Sequence, residues 1–416
     1  MRASDNGSPR IDGRRYWACL MEMAAIGATP RGGCDRQALT DADKQARDLF
    51  RAWCAAAGAE VVVDAMGNIR ARRPGRRPEL PPVVIGSHLD TQPAGGKFDG
   101  AAGVLAGLEI LRTLDDAAYE TDHPIMVVDW TNEEGCRFAP AMLASGVFAG
   151  AFTEAYAYAR TDREGRRFGD ELERIGYKGS YPCTAEPWKC HLELHIEQGP
   201  ILEAEGKIIG VVTGAQGIRW YDVAITGRRG HAGSTPMERR KDALVAASRA
   251  VEGLDRLARE FAPRAVATVG TLEIRAPSRN VVPGEVRFTI DLRHPDEGTL
   301  DELERRCAAI LAEACARDGL SFSWERIWSF PPVAFDPRCV SAVREAAIAL
   351  GYPWREMISG PGHDSCYTAR VVPTAMIFVP CREGLSHHEE EWAEPEHLAA
   401  GCQVLLEAVL ALARAD

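Results

Sequence analysis

The sequence predicts an α/β protein: a doubly wound domain interrupted by an inserted α+β domain of ferredoxin-like order. Two patterns carry this expectation. Towards both ends of the chain, short apolar runs alternate with helical stretches, as strands and helices do in a doubly wound sheet. Between about 214 and 328 the order becomes β-α-β-β-α-β, the ferredoxin-like arrangement. A length of 416 residues suits two domains with ample buried core.

Taken in order, residues 1 to about 33 begin polar and Gly-rich. Thr40-Asp41-Ala42-Asp43 starts a helix and Gly58 stops it. Glu60 to Asp64 and Ile69 to Arg73 form a hairpin about residues 65–68. Val83-Val84-Ile85 is a short buried strand ended by Gly86-Ser87. A helix begins near Gly103, with Val104, Leu105, Leu108 and Leu111 as its apolar stripe. Ile125 to Trp130 is a strand, and 139 to 180 is mostly helical. His191 to Gln198 alternates, with Leu192, Leu194 and Ile196 on one face and His191, Glu193, His195 and Glu197 on the other. That pattern predicts a half-buried strand with a polar face. Lys207 to Thr213 is a further strand. In the insertion, Ile218 to Thr226 is a strand and Pro236 to Phe261 a long helix. Arg264 to Arg275 and Val286 to Arg293 are strands, Glu297 to Ala316 a helix and Leu320 to Ile327 a strand. The first domain resumes with the helix Asp336 to Leu350 and the strand Thr374 to Val379. It closes with the helix Pro395 to Arg414. The expected division is 1–213 with 329–416, and 214–328.

Apolar residues make up 46% and charged residues 26%, ordinary for a globular protein. The net charge of −11 argues against nucleic acid or an anionic membrane as partner. No apolar run has the length of a membrane span, and Arg2 is not followed by an apolar core, so no secretory signal is visible. Twelve cysteines lack paired spacing. They read as reduced packing thiols of a cytoplasmic protein, Cys136 and Cys381 included, rather than a disulfide framework or a zinc ribbon.

Four strand ends deliver imidazole or carboxylate. His88 and Asp90 follow the first strand at once, and Asp99 lies in the Gly-rich loop beyond. Thr131-Asn132-Glu133-Glu134 follows the strand Ile125 to Trp130. His191 and His195 share the polar face of their strand. Ser386-His387-His388-Glu389 follows Thr374 to Val379. Imidazole nitrogen and carboxylate oxygen at such a point suit divalent metal ions. One of two adjacent glutamates can bind metal while its neighbour works as a general base, and Asp90 can orient the His88 ring.

The motifs resemble those of the hydantoinase/carbamoylase amidases, a group that includes N-carbamoyl-L-amino-acid hydrolases, β-ureidopropionases and allantoate amidohydrolases. These belong to the wider superfamily of dinuclear metal aminoacylases and carboxypeptidases. The matching stretches are GSHLDT (86–91), GGKFDG (95–100), TNEEGCRF (131–138), ELHIEQGP (193–200) and GHAGSTPM (230–237). PSRNVVPG (277–284), DLRH (291–294), SGPGHDS (359–365) and FVPCREGLSH (378–387) complete the set.

The resemblance implies two divalent ions per subunit, zinc first, with manganese, cobalt or nickel as alternatives. His88, Asp99 and His195 would hold one ion, and Asp99, Glu134 and His387 the other, with Asp99 shared. Glu133 would be the general base, and His231 would stabilise the oxyanion. Arg293 and Asn280 would take the substrate carboxylate, with Gln198 and Gly360 also at the substrate. The inserted domain would serve as lid and homodimer interface, with His231 acting in the partner's cleft. The implied reaction is hydrolysis of the C–N bond of a linear N-carbamoyl amino acid or related ureido acid. An N-acyl-amino-acid hydrolase or dipeptidase is the alternative enzyme, and a metal-binding scaffold without activity the alternative class. Two departures stand out. His388 follows His387 where the family has Asn or Ser, so either imidazole is a candidate ligand. Pro361 replaces Ala in the loop of Gly360. His191, His123, His294 and His397 are expected to be structural.

Overall fold

The computed structural model describes residues 9–415, which divide into two compact units. One runs to Gly214 and resumes at Ala334; the other is Ala215–Val333.

The first unit is built on a mixed sheet. Its centre is four parallel strands, in the order Ile125–Trp130, Val83–His88, Cys190–Ile196 and Thr374–Val379. Ile69–Arg73, paired with Glu60–Val63 as a hairpin, adds antiparallel to one side, and Ile209–Ala215 adds antiparallel to the other. Trp354–Ser359 pairs with Ile209–Ala215, a strand that the sequence reading missed. The helices Gly13–Ala24, Ala101–Asp116 and Pro395–Leu412 pack together, and Pro337–Ala349 packs on the last of these. Gly13–Ala24 is also missed by the polar reading of the N-terminal stretch. It is capped by Asp12, whose carboxylate takes the N–H of Arg14 and Arg15, and it buries Tyr16, Leu20 and Met23 at helical spacing. The stretch 139–180 holds three short helices, Leu143–Phe148, Glu154–Tyr158 and Phe168–Ile175.

One expectation about the sheet needs correction. Cys190–Ile196 is buried at every position, so it is not a half-exposed strand. It lies between Val83–His88 and Thr374–Val379 with helices packed on it. Its polar residues are therefore solvated by the protein: Glu193 takes the hydroxyls of Ser87 and Ser365 at 2.9 and 2.6 Å. His191 keeps the structural position expected of it. Burial pushes its ring down to about 3, so it stays neutral, against Thr368 at 3.4 Å.

In the second unit the strand order Leu272–Ile274, Glu285–His294, Gly217–Thr226, Ser321–Phe330 is that of a ferredoxin-like sheet, antiparallel throughout. Ala243–Glu260 and Glu297–Ala316 cover one face. Tyr221, Val223, Ile225, Phe288, Ile290 and Leu292 fill the core with Ala246, Ala250, Leu254, Leu303 and Leu311. The long helix begins at Ala243, not Pro236, because Asp242 caps it by accepting the N–H of Leu244 and Val245, worth about 1 kcal/mol. Met237–Arg239 is a separate 3-10 turn. Arg264 to Arg275 is two short strands, Val266–Thr268 and Leu272–Ile274, each paired with Glu285–His294. Among the described residues no helix is long and apolar enough to cross a membrane. The twelve cysteines are free, and all but Cys19 and Cys136 are buried.

Candidate metal centre

The four parallel strands end along one edge of the sheet, where open α/β sheets gather their sites. His88 is the last residue of its strand, and His195 is the last but one of the next. Glu133 and Glu134 stand in the turn after Trp130, and His387 in the loop after Val379. Asp99 lies in the loop between His88 and the helix Ala101–Asp116. Gly100 has φ +64°, and a Cβ there would fall 2.3 Å from the His88 ring. The last glycine of GGKFDG is therefore required both by its backbone and by the imidazole against it.

Backbone carbonyls orient two of the rings. His88 Nδ1 lies 2.8 Å from the oxygen of Asp90, and His195 Nδ1 lies 2.9 Å from that of Ile196. A ring that donates Nδ1–H presents Nε2 as a lone pair when neutral. The Gly100 N–H, 3.2 Å from His195 Nε2, agrees with that assignment. Both Nε2 atoms face Asp99 Oδ1, at 3.7 Å from His88 and 3.1 Å from His195. Asp99 Oδ2 and Glu134 Oε2 stand 3.2 and 3.4 Å from His387 Nε2. His88 Nε2 is also 3.6 Å from Glu133 Oε2. The ligand atoms of His88, Asp99 and His195 thus lie within 4.8 Å of one another, as do those of Asp99, Glu134 and His387. Asp99 belongs to both groups.

The electrostatics of the cluster call for positive charge. Burial pushes Glu133 well above the usual carboxylate range, helped by Asp364 and Glu134. Burial and then Asp99 push Glu134 up to about 8. Burial opposes charge on His195 and His387, yet their bonds to Asp99 outweigh it and raise both to about 9. His88 falls to about 4, chiefly through burial. Imidazole nitrogens facing carboxylate oxygens, with three carboxylates crowded together, fit divalent cations shared through Asp99, which would take the place of the ring protons that Asp99 draws onto His195 and His387.

Several expected residues take more specific places. Asp90 meets the His88 ring through its backbone carbonyl rather than its side chain. That carboxylate instead accepts the N–H of Glu133 and Glu134 at 3.2 and 3.3 Å. His387, not His388, reaches Asp99 and Glu134; His388 is exposed and its Nδ1 accepts the N–H of Glu390. Gln198 donates to Asp99 Oδ2 at 2.9 Å and to Ser386 Oγ at 3.2 Å. Gly360 sits in a bend after the strand Trp354–Ser359, and the carbonyl of its neighbour Pro361 accepts the Ser359 hydroxyl at 2.8 Å.

Sequence reasoning missed four supporting residues. Gln92 holds Glu134 with its N–H at 3.1 Å and its Nε2 at 2.8 Å. Ser386 and Glu391 support Asp99. The ring of His363, in SGPGHDS, packs edge-on against that of His195 with centroids 4.5 Å apart. Gln92, Ser386 and His363 stand beside or inside motifs, and that proximity was the available signal.

In the second unit, His231 pairs with Val281 across the short ladder Gly230–His231 and Val281–Val282. Its Nδ1 accepts the N–H of Gly233 and Ser234 at 3.1 and 3.2 Å, which leaves Nε2–H as a free-standing donor on an exposed ring. The Asn280 side-chain oxygen accepts the hydroxyl of Ser278. Arg293 forks onto Asp291, with Nη2 at 2.8 Å and Nε at 3.0 Å.

The profile of peptidase family M20/M25/M40 matches residues 84–411. An N-carbamoyl-L-amino-acid amidohydrolase of Rhizobium meliloti is 52% identical over 98% of this chain and 98% of its own. One from Paenarthrobacter aurescens is 40% identical over 92% and 94%. The crystal structure of an amidase of the hydantoinase/carbamoylase family from Burkholderia multivorans superposes with a TM-score of 0.93 at 56% identity, covering 97% of this chain and 98% of that one.

Proposed function

The chain belongs to peptidase family M20/M25/M40 and, within it, to the hydantoinase/carbamoylase amidases, and from that premise we propose that it hydrolyses N-carbamoyl-L-amino acids. The general activity is hydrolysis of a non-peptide C–N bond in a carbamoyl or ureido acid. The observation that carries the reading is the pair of ligand groups joined at Asp99, with Glu133 beside them.

His88, Asp99 and His195 would hold one divalent cation, and Asp99, Glu134 and His387 the other. Bound there, zinc (or manganese, cobalt or nickel) would supply Lewis acidity toward water and the ureido carbonyl. Glu133 takes the proton of the attacking water and returns it to the departing nitrogen. Collapse of the tetrahedral intermediate releases the amino acid and carbamate, which decays to ammonia and carbon dioxide. His231 donates to the oxyanion through Nε2–H. Arg293 and Asn280 receive the substrate carboxylate, and Gln198 and Gly360 position the ureido group. For Arg293 this requires the guanidinium to be shared with, or released from, Asp291. We further propose a cytoplasmic homodimer formed through the second unit.

The test is ammonia release from N-carbamoyl-L-α-amino acids, β-ureidopropionate, allantoate and ureidoglycolate, each with zinc, manganese, cobalt and nickel. Highest turnover on an N-carbamoyl-L-amino acid supports the reading. Faster hydrolysis of N-acetyl amino acids or dipeptides would replace it with an aminoacylase or dipeptidase. Stoichiometric metal with no turnover of any of these compounds would leave a binding scaffold.

A further inference from the structure

Two loops must converge for the cation groups to share Asp99. One is the Gly-rich loop that carries Asp99, and the other is the loop that carries His387. A buried glutamate outside both candidate groups joins them. Glu391 Oε1 accepts the backbone N–H of Phe98 at 3.0 Å and of Asp99 at 3.2 Å. Its other oxygen accepts the Ser386 hydroxyl at 2.8 Å. Ser386 immediately precedes His387, and its Oγ lies 3.3 Å from Asp99 Oδ2. One carboxylate therefore grips the main chain of the shared ligand with one oxygen and the residue before the neighbouring ligand with the other.

The Gly-rich loop is shaped to admit this carboxylate. A Cβ built on Gly96 would fall 1.9 Å from the carboxyl carbon of Glu391 and from one of its oxygens. That approach is possible only for glycine, whatever its φ. Trp17, Phe98 and Trp392, the last of these next to Glu391 in the chain, form a three-ring cluster with centroids 5.5 to 5.7 Å apart. Phe98 is thus fixed twice, through its ring in the cluster and through its N–H on Glu391, and Asp99 follows it in the chain. Glu391 itself is buried. A buried carboxylate that satisfies three donors resists displacement, since leaving would strand two backbone N–H groups and a hydroxyl.

We propose that Glu391 is the positioning residue of the metal centre: it sets the distance between Asp99 and His387, and so decides whether one carboxylate can serve both cation groups. This rests on the reading of the two groups as cation sites. Glu391 belongs to neither candidate group; it acts through the Phe98–Asp99 main chain and through Ser386. Residues that orient metal ligands in this way are worth about 10- to 100-fold in metal affinity or activity when lost.

The experiment measures zinc binding to metal-stripped full-length protein by competition with a chromogenic chelator, with stoichiometry from elemental analysis and folding from circular dichroism and thermal melting. The variants are Glu391→Ala, Glu391→Gln, Ser386→Ala and Gly96→Ala. Wild type should bind two ions. Glu391→Ala should lose about 10- to 100-fold in affinity for at least one of them. Glu391→Gln should recover most of that loss, because an amide oxygen still accepts both N–H groups and its NH₂ can donate to Ser386 Oγ. Ser386→Ala, which leaves the Phe98 and Asp99 bonds intact, should weaken one ion only. Gly96→Ala should resemble Glu391→Ala although the glutamate is present. If Glu391→Ala fails to fold, Ser386→Ala and Gly96→Ala decide. Folded variants that bind two ions as wild type does overturn the role of Glu391 and leave the cation sites standing. A wild type that binds no zinc, manganese, cobalt or nickel overturns both.

Discussion

The carboxylate of Asp90 accepts the backbone N–H of Glu133 at 3.2 Å and thereby fixes the turn on which the proposed base stands. The same carboxylate takes the next N–H, that of Glu134, so the proposed base and the proposed ligand are positioned as one piece. Beneath it lie Asp43, Arg47 and Asp129; burial and then Asp43 lift Asp90 to about 7 against the pull of Arg47. Asp90→Asn replaces one acceptor by an NH₂ that faces an N–H. Turnover should fall by about tenfold or more, with the fold retained. Unchanged kcat in a folded Asp90→Asn protein would remove Asp90 from the site's support.

Glu133→Gln keeps the shape of the side chain and removes its basicity. Metal content should stay near wild type while the rate drops by on the order of a hundredfold or more. If the metal departs with the activity, Glu133 is a ligand and the base must be sought elsewhere.

Removing the metal should abolish activity and lower the melting temperature, because ligands bound only by the folded state stabilise it. Buried Glu133 and Glu134, both pushed upward, would then lack their counter-charge. Restoration by zinc, manganese, cobalt or nickel identifies the acceptable ions. Full turnover in a sample shown by elemental analysis to be metal-free would end the dinuclear mechanism.

Arg293→Ala should harm chiefly substrates that carry a free carboxylate. The comparison is kcat/KM on a carbamoyl acid and on its amide. Arg293 already forks onto Asp291, so equal losses on the two substrates would mean that this pair is structural.

The proposed homodimer is tested by complementation. Glu133→Ala and His231→Ala, each nearly inactive, are co-expressed with different tags. Random assembly gives mixed dimers in about half of cases, and one of the two sites in each is whole if His231 serves its partner. Purified mixed dimers as inactive as their parents would confine His231 to its own chain or remove it from the reaction.

The chemistry of the site was legible where the residue type itself is diagnostic. Imidazole and carboxylate at four strand ends marked a candidate metal site, and the family resemblance supplied the division of His88, Asp99, Glu134, His195 and His387 between two ions. The ferredoxin-like order of the second unit was legible because its strands alternate cleanly over one covered face. What escaped was whatever depends on distant partners. Glu391 is 292 residues from Asp99, and nothing local in Glu389-Glu390-Glu391 shows which of the three reaches the Asp99 loop. The polar face of Cys190–Ile196 misled because alternation records polarity, and in a central strand the protein itself supplies the polar surroundings. That Asp90 meets His88 through its carbonyl, and the Glu133–Glu134 turn through its carboxylate, was not legible, because sequence does not show which group of a residue does the work.

The place of Thr374–Val379 in the sheet has a temporal consequence. This strand lies between Cys190–Ile196 and Ile209–Ala215, both made much earlier. The second unit, an unbroken stretch, is complete in the nascent chain before that gap can be filled. At bacterial or eukaryotic synthesis speeds the interval from Ala215 to Thr374 is roughly 8–30 s. Through it, two strands with buried faces wait on the ribosome without the neighbour that joins them. The second unit can already be folded during this delay, and the candidate ligand His387 arrives only after the missing strand.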